Sequence, residues 1–302
     1  MDNVGEDAKP VPQVGSLRLP RLSAPRTADP TFDELGLAPL ADECERWQLQ
    51  RAGSLFWELN VRAGGHPDTW REVPILMGSC AESALLAATA EVEIERLRRA
   101  TAAEELPKQY ALAERFFAEA QGHQILGCGH RLANIAVRTL MLAQGYPWGE
   151  PVGSPAPIPA FSDQKEDWVS MSLMPSYRKA AALSPYRSLD QLTTVVIDIC
   201  GSTQWRALDD RRGKDFHRGR EESPFVAGAS RVTAWRSDGT TRILEPRDDM
   251  PTPEAVDLWL KDLGKESHDA LLKLAGWLVS FRKALYAAVS EITNGTFQVG
   301  DE

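Results

Sequence analysis

Proline placement is the strongest constraint on this chain of 302 residues. Proline fixes φ and carries no backbone N–H, so a dense run of prolines excludes helix. Pro10, Pro12, Pro20, Pro25, Pro30 and Pro39 fall within residues 1–39, among few large apolar side chains. That segment is predicted to be a flexible Pro-rich tail. A second concentration runs from Pro147 to Pro159 and continues through Pro175 and Pro185. Residues 146–185 are therefore predicted to be a loop insertion, with room for one short helix.

Elsewhere the apolar residues recur at helical spacing. Trp47, Leu49, Leu55, Phe56, Leu59 and Val61 predict a helix from Leu40 that stops at Gly64-Gly65. The stretch ALLAATAEVEIERLRR lies in a second, predicted over Gly78 to Glu104. Pro107 suits the first turn of a third, which ends before Gly145. In that third helix Gly122, Gly127 and Gly129 predict a kink or the close approach of a neighbour. Ser188 and Gln191 match a capping box opening a fourth. Thr252-Pro253 opens another, and a last helix is expected from Ser267 to Asn294-Gly295. Asp238-Gly239, flanked by Val232, Trp235, Ile243 and Leu244, is a hairpin signal. The expected fold class is mainly α: a multi-helix bundle over 40–302, read as a single helical domain. It carries one small β-hairpin at 231–246 and the Pro-rich loop insertion.

The net charge of −9 excludes a surface that is basic throughout, though not a local basic site. Cys44, Cys80, Cys128 and Cys200 lie far apart with no Cys-x-x-Cys pair, and residues 1–30 lack an apolar leader stretch. Reduced, mostly buried thiols in a cytoplasmic protein are expected. No membrane span is expected. The window 270–290 contains Lys273, Arg282 and Lys283, and 125–143 contains His130, Arg131, Asn134 and Arg138.

The local exception to the acidic balance is WRALDDRRGKDFHRGR, residues 205–220. Arg206, Arg211, Arg212, Lys214, Arg218 and Arg220 oppose Asp209, Asp210 and Asp215, so six positive less three negative leaves +3. Such an island can attract phosphates. The plainer alternative is a solvated helix end whose charges pair locally with Glu221 and Glu222. His217 adds a group that moves protons near neutral pH, and an arginine can stabilise charge building on a phosphate oxygen.

Arg212-Gly213-Lys214-Asp215-Phe216-His217 resembles the Arg-x4–6-His motif of the HEPN superfamily (higher eukaryotes and prokaryotes nucleotide-binding), whose members are small helical bundles. Arg211 gives the same motif with one more intervening residue. Gly213 stands where the family often has Asn, Asp or His. The resemblance implies a metal-independent endoribonuclease without a cofactor, with Arg212 and His217 as its catalytic pair. Arg211, Lys214, Arg218 and Arg220 would hold RNA phosphates. It also implies a homodimer with facing motifs, and a setting in toxin, antiviral defence or RNA-processing systems.

A second constellation lies on the third predicted helix. His123, His130, Asn134 and Arg138 are separated by 7, 4 and 4 residues and share one stripe. Such a stripe is either an internal hydrogen-bond network or wet groove, or a site wall that meets the Arg212–His217 segment. Zinc is not expected, because Cys128, His130 and His123 lack a fourth ligand at suitable spacing. His66 and His268 read as structural, and His268 is expected near a helix start, where a charged imidazole is disfavoured. No P-loop, Rossmann glycine pattern or Gly-x-Ser-x-Gly is present. Three functions follow: RNA cleavage or binding, a non-enzymatic protein–protein interaction module that uses its helical faces and Pro-rich loop, or a small-molecule enzyme that uses the His123–Arg138 stripe.

Overall fold

The computed structural model describes residues 30–52, 69–102, 111–143, 168–217, 232–235, 241–244 and 253–292. Side chains are described except at 49–52, 69–71, 101–102, 111–112, 141–142, 213–217 and 253–263 and in the two strand segments. Among these residues the chain is mainly helical. The order is α1 (Ala38–Ala52), α2 (Thr69–Ala102), α3 (Ala111–Ala143), a 3-10 turn (Met171–Leu173), α4 (Met174–Ala182), α5 (Arg187–Gly201), α6 (Thr203–His217) and α7 (Pro253–Ile292).

Helix α3 is the central element and packs against α2, α7, α5 and α6. Helix α2 buries Ala81, Ala84, Ala87 and Ala88, small residues at helical spacing that let a neighbouring backbone come close. The proximity is visible at Cys80 and Cys128. Each thiol reaches the other residue's carbonyl oxygen, at 3.8 Å from Cys80 and 3.4 Å from Cys128. All four cysteines are free, and three are buried. Trp47 of α1 packs on Phe281 of α7 with ring centroids 6.1 Å apart. Beside them the buried Glu43 carboxylate accepts from Trp47 Nε1 at 2.8 Å and from Arg282 Nε at 2.6 Å.

Several expectations change. The predicted tail 1–39 is folded at its far end. Thr31 and Glu34 cap one another reciprocally at 3.3 Å, Gly36 turns the chain at φ +70°, and Leu37 is buried. The predicted insertion 146–185 ends early, because Val169, Met171, Met174 and Tyr177 are in the core. The Ser188–Gln191 capping box does not form. Instead Glu291 of α7 accepts from the backbone N of Arg187 at 3.1 Å and of Ser188 at 2.8 Å, and from Ser188 Oγ at 2.5 Å. These bonds hold the Glu291 carboxyl below its usual range. The two expected final helices are one, α7, which passes through Gly264. There Arg98 of α2 crosses so closely that a Cβ would lie 2.5 Å from its Nη2.

Helix α2 between Glu72 and Ala100 is long and apolar enough by composition to cross a membrane, yet 61% of that window is buried inside the bundle. Val232–Trp235 and Thr241–Leu244 run antiparallel, with Val232 opposite Leu244. The Asp238-Gly239 turn lies outside the described residues, so these segments alone do not support the complete hairpin. Residues 1–29, Gly64-Gly65, His66, 144–167, Arg218 and Arg220 also lie outside them.

Candidate phosphate-binding face on α3 and α6

Helix α6 is placed by its first turn. Ser202 separates it from α5: its Oγ donates to the Ile199 carbonyl at 2.6 Å and accepts from the Trp205 backbone N at 3.2 Å. This sets the Trp205 ring on Gly129 of α3, where a Cβ would stand 2.1 Å from a ring carbon and 2.6 Å from Met171 Sδ. The glycine there serves close approach. The His130 ring meets Trp205 edge-on, with centroids 6.1 Å apart.

With Trp205 and Leu208 buried, the next turn of α6 carries Arg211 and Arg212 over α3. Glu119, Gly122 and His123 of α3, Arg211 and Arg212 of α6 and Ser267 of α7 line a shallow cavity of about 30 Å3. That holds about two waters. It is a notch in a surface, suited to one anionic oxygen group at a time. Arg211 pairs with Glu266 at 2.8 Å and Arg212 with Asp209 at 2.7 Å. The Arg212 and Asp209 side chains are 41% and 46% exposed, and such pairs contribute little stability, so a phosphate can replace the carboxylate.

The stripe therefore divides. His123 lines the cavity with Arg211 and Arg212. His130 sits beside it: burial lowers its imidazole below the usual range, Arg212 and Arg131 lower it further, and Asp209 opposes them. Asn134 and Arg138 are not site wall. Asn134 Nδ2 donates to the Val169 carbonyl at 2.8 Å, and its Oδ1 accepts from Val169 N at 2.9 Å and from Arg138 Nη1 at 3.1 Å. Arg138 also pairs with Glu72. This is an internal network that fixes the chain entering α4.

The side chains of Lys214 and His217 lie outside the described residues. Their helix is described, however, and five residues along it turn about 140°. The sequence reading missed Arg131. A signal was available in Gly127, four residues earlier, a bare position over which Arg131 folds with Nη1 2.8 Å from the would-be Cβ. Cys128 turns toward Cys80, and among the described residues no three His, Cys, Asp or Glu side chains converge as a metal site.

Next to this face lies a second polar cluster. His268 Nδ1 is 2.8 Å from Oε1 of the buried Glu91, whose other oxygen accepts from Gln121 at 2.7 Å. His268 is mid-helix in α7, so the expected penalty from a helix start does not apply. The bond to Glu91 raises its imidazole above the usual range, against the opposing effect of burial. Burial acts to raise Glu91, but hydrogen bonds from His268 and Gln121 outweigh it and hold the carboxyl below its usual value. A raised histidine adds stability that is present below its unfolded value of about 6.5 and lost as pH rises through the folded value. The lowered Glu91 adds stability lost only toward acid. Urea midpoints should therefore fall from pH 6 to pH 8, and His268→Gln should lessen that fall. An equal fall in both proteins would dismiss the pair as its source.

No family model matches the chain, and no curated protein or solved structure matches it, so the site is read from its own geometry.

Proposed function

We propose that this protein binds RNA as a HEPN-like helical bundle, engaging the phosphate backbone at the α6 end of α3. The observation that supports this reading is the meeting of His123, Arg211 and Arg212 around one cavity in a chain whose net charge is −9. Lys214, Arg218 and Arg220 are assigned further phosphate contacts in the same proposal. A hairpin at 231–246, a cytoplasmic location and a role in toxin or antiviral defence systems belong to the same proposal.

Metal-independent cleavage is assigned to Arg212 and His217. A homodimer with facing motifs belongs to the same proposal, the arginine of one copy meeting the histidine of the other. Purified protein should degrade single-stranded RNA in chelator. Arg212→Ala and His217→Ala should each lose about 10²- to 10³-fold in rate, and mixing the two variants should restore part of it. Cleavage that both variants retain would remove the catalytic pair, and absence of RNA binding by the parent would remove the whole reading.

One observation favours the alternative, a protein–protein interaction module. Trp168, Leu173 and Leu183 are 46%, 50% and 49% exposed around α4, just after the Pro-rich stretch. Serine at these three positions should abolish partner retention while leaving RNA binding intact. Deleting 146–185 is a poor test, since it also removes core residues.

A further inference from the structure

Among the described residues the most exposed large apolar side chain is Phe116 of α3, at 64%. Its ring is nevertheless held in place. Phe117 packs with the buried Ile94 and Ala118 where α2 meets α3, and Phe116 meets the Phe117 ring edge-on with centroids 5.5 Å apart.

Helix geometry sets where that ring stands. His123 follows Phe116 by seven residues, which is two turns less about 20°, so the two share one face of α3 about 10 Å apart along its axis. Glu119 lies between them, and Glu119 and His123 both line the cavity that Arg211 and Arg212 line from α6. Phe116 therefore stands about one turn before the near end of the cavity. The Glu119 carboxylate accepts from Arg115 Nε at 2.5 Å, and that guanidinium is 5% exposed. Its charge offsets the one carboxylate that lies between ring and cavity.

A nucleotide joins a phosphate to a flat aromatic base. The cavity supplies cations for the first, and Phe116 supplies a bare aromatic face for the second. A basic groove beside exposed aromatic rings holds single strands with little sequence preference, because every base has a π face. A duplex keeps its bases paired and stacked on each other, so it has none to give the ring.

We propose that Phe116 is a base-stacking platform for single-stranded RNA, taking an unpaired base while the adjoining phosphate occupies the His123–Arg211–Arg212 cavity. This rests on the RNA reading above and adds the group that selects single strands over duplex.

The test uses the full chain with two probes, a single-stranded RNA containing a fluorescent adenine analogue and the same strand in a duplex. Phe116→Ala should weaken single-strand binding about 5- to 150-fold and abolish the change in analogue fluorescence. Phe116→Trp should retain both, whereas Phe116→Leu, apolar but without a π face, should behave as the alanine variant. The slope of log affinity against log salt should stay unchanged in all three, since stacking releases no counterions. Duplex affinity and thermal unfolding should not respond to Phe116→Ala. Single-strand binding that survives Phe116→Ala or Phe116→Leu, or an equal loss with the duplex, would overturn the platform and leave the RNA reading standing. A parent protein that binds neither probe would overturn both.

Discussion

Gly129→Ala should destabilise the protein by about 2 kcal/mol and lower Tm by roughly 5 °C. Two effects oppose each other. Alanine gains about 1 kcal/mol over glycine inside a helix. Against that, the new methyl would sit 2.1 Å from the Trp205 ring and 2.6 Å from Met171 Sδ. Overpacking costs about 1–3 kcal/mol, and the upper end applies here because Trp205 is a rigid ring buried to 2% exposure. Clash wins. Relief requires Trp205 to move, and α6 moves with it, so RNA affinity should fall together with stability. Gly122→Ala on the same helix is the control. Its methyl would meet Ser267 Oγ at 3.5 Å and Leu208 Cδ2 at 3.6 Å, ordinary contacts, so it should gain up to about 1 kcal/mol. Thermal unfolding of both variants decides the matter: a Gly129→Ala protein as stable as Gly122→Ala would refute the packing argument.

The second large effect is expected at Glu43. It is 1% exposed, and it accepts from Trp47 Nε1 at 2.8 Å and from Arg282 at 2.6 and 3.1 Å. Glu43→Ala should cost about 3–5 kcal/mol, because it strands a guanidinium 16% exposed between α1 and α7 along with a buried indole N–H. Most of that cost belongs to the orphaned partners. Removing the charge on both sides, as Glu43→Leu/Arg282→Met, should recover the guanidinium's share, leaving about 1–3 kcal/mol for the indole N–H that still lacks an acceptor. Denaturant titration of the single and double variants gives the coupling. A double variant as unstable as Glu43→Ala would show that the ion pair itself holds α1 in place.

Periodicity made the helices legible, and the central α3 with its stripe was readable from residue spacing alone. What the sequence could not display was partnership between distant residues. Asn134 and Arg138 lie on the same polar stripe as His123 and His130, yet Val169 and Glu72 draw the first two inward. Their partners lie 35 and 66 positions away. Two helices were expected, one opening at Thr252-Pro253 and one at Ser267, but they are a single helix that passes through Gly264. Inside the bundle it is the bare place where Arg98 crosses. Likewise Gly129 differs from Gly122 through Trp205 and Met171, which arrive from elements not adjacent in sequence. The basic segment reads as an island in sequence, but Glu266 takes up Arg211 and Asp209 takes up Arg212. Arg131, on a different helix, escaped any scan for clustered charge.

The Glu291 clasp on the start of α5 also has a consequence in time. Its carboxylate meets the Ser188 backbone across 103 residues of chain. A ribosome that has just delivered α5 has not yet made the group that satisfies its first amides. Until α7 emerges, water must serve that end of the helix, and α5 stays prone to unravelling from its first turn. Completion of the last helix is then what locks the middle of the protein. Synthesis order and stability order run in opposite directions here.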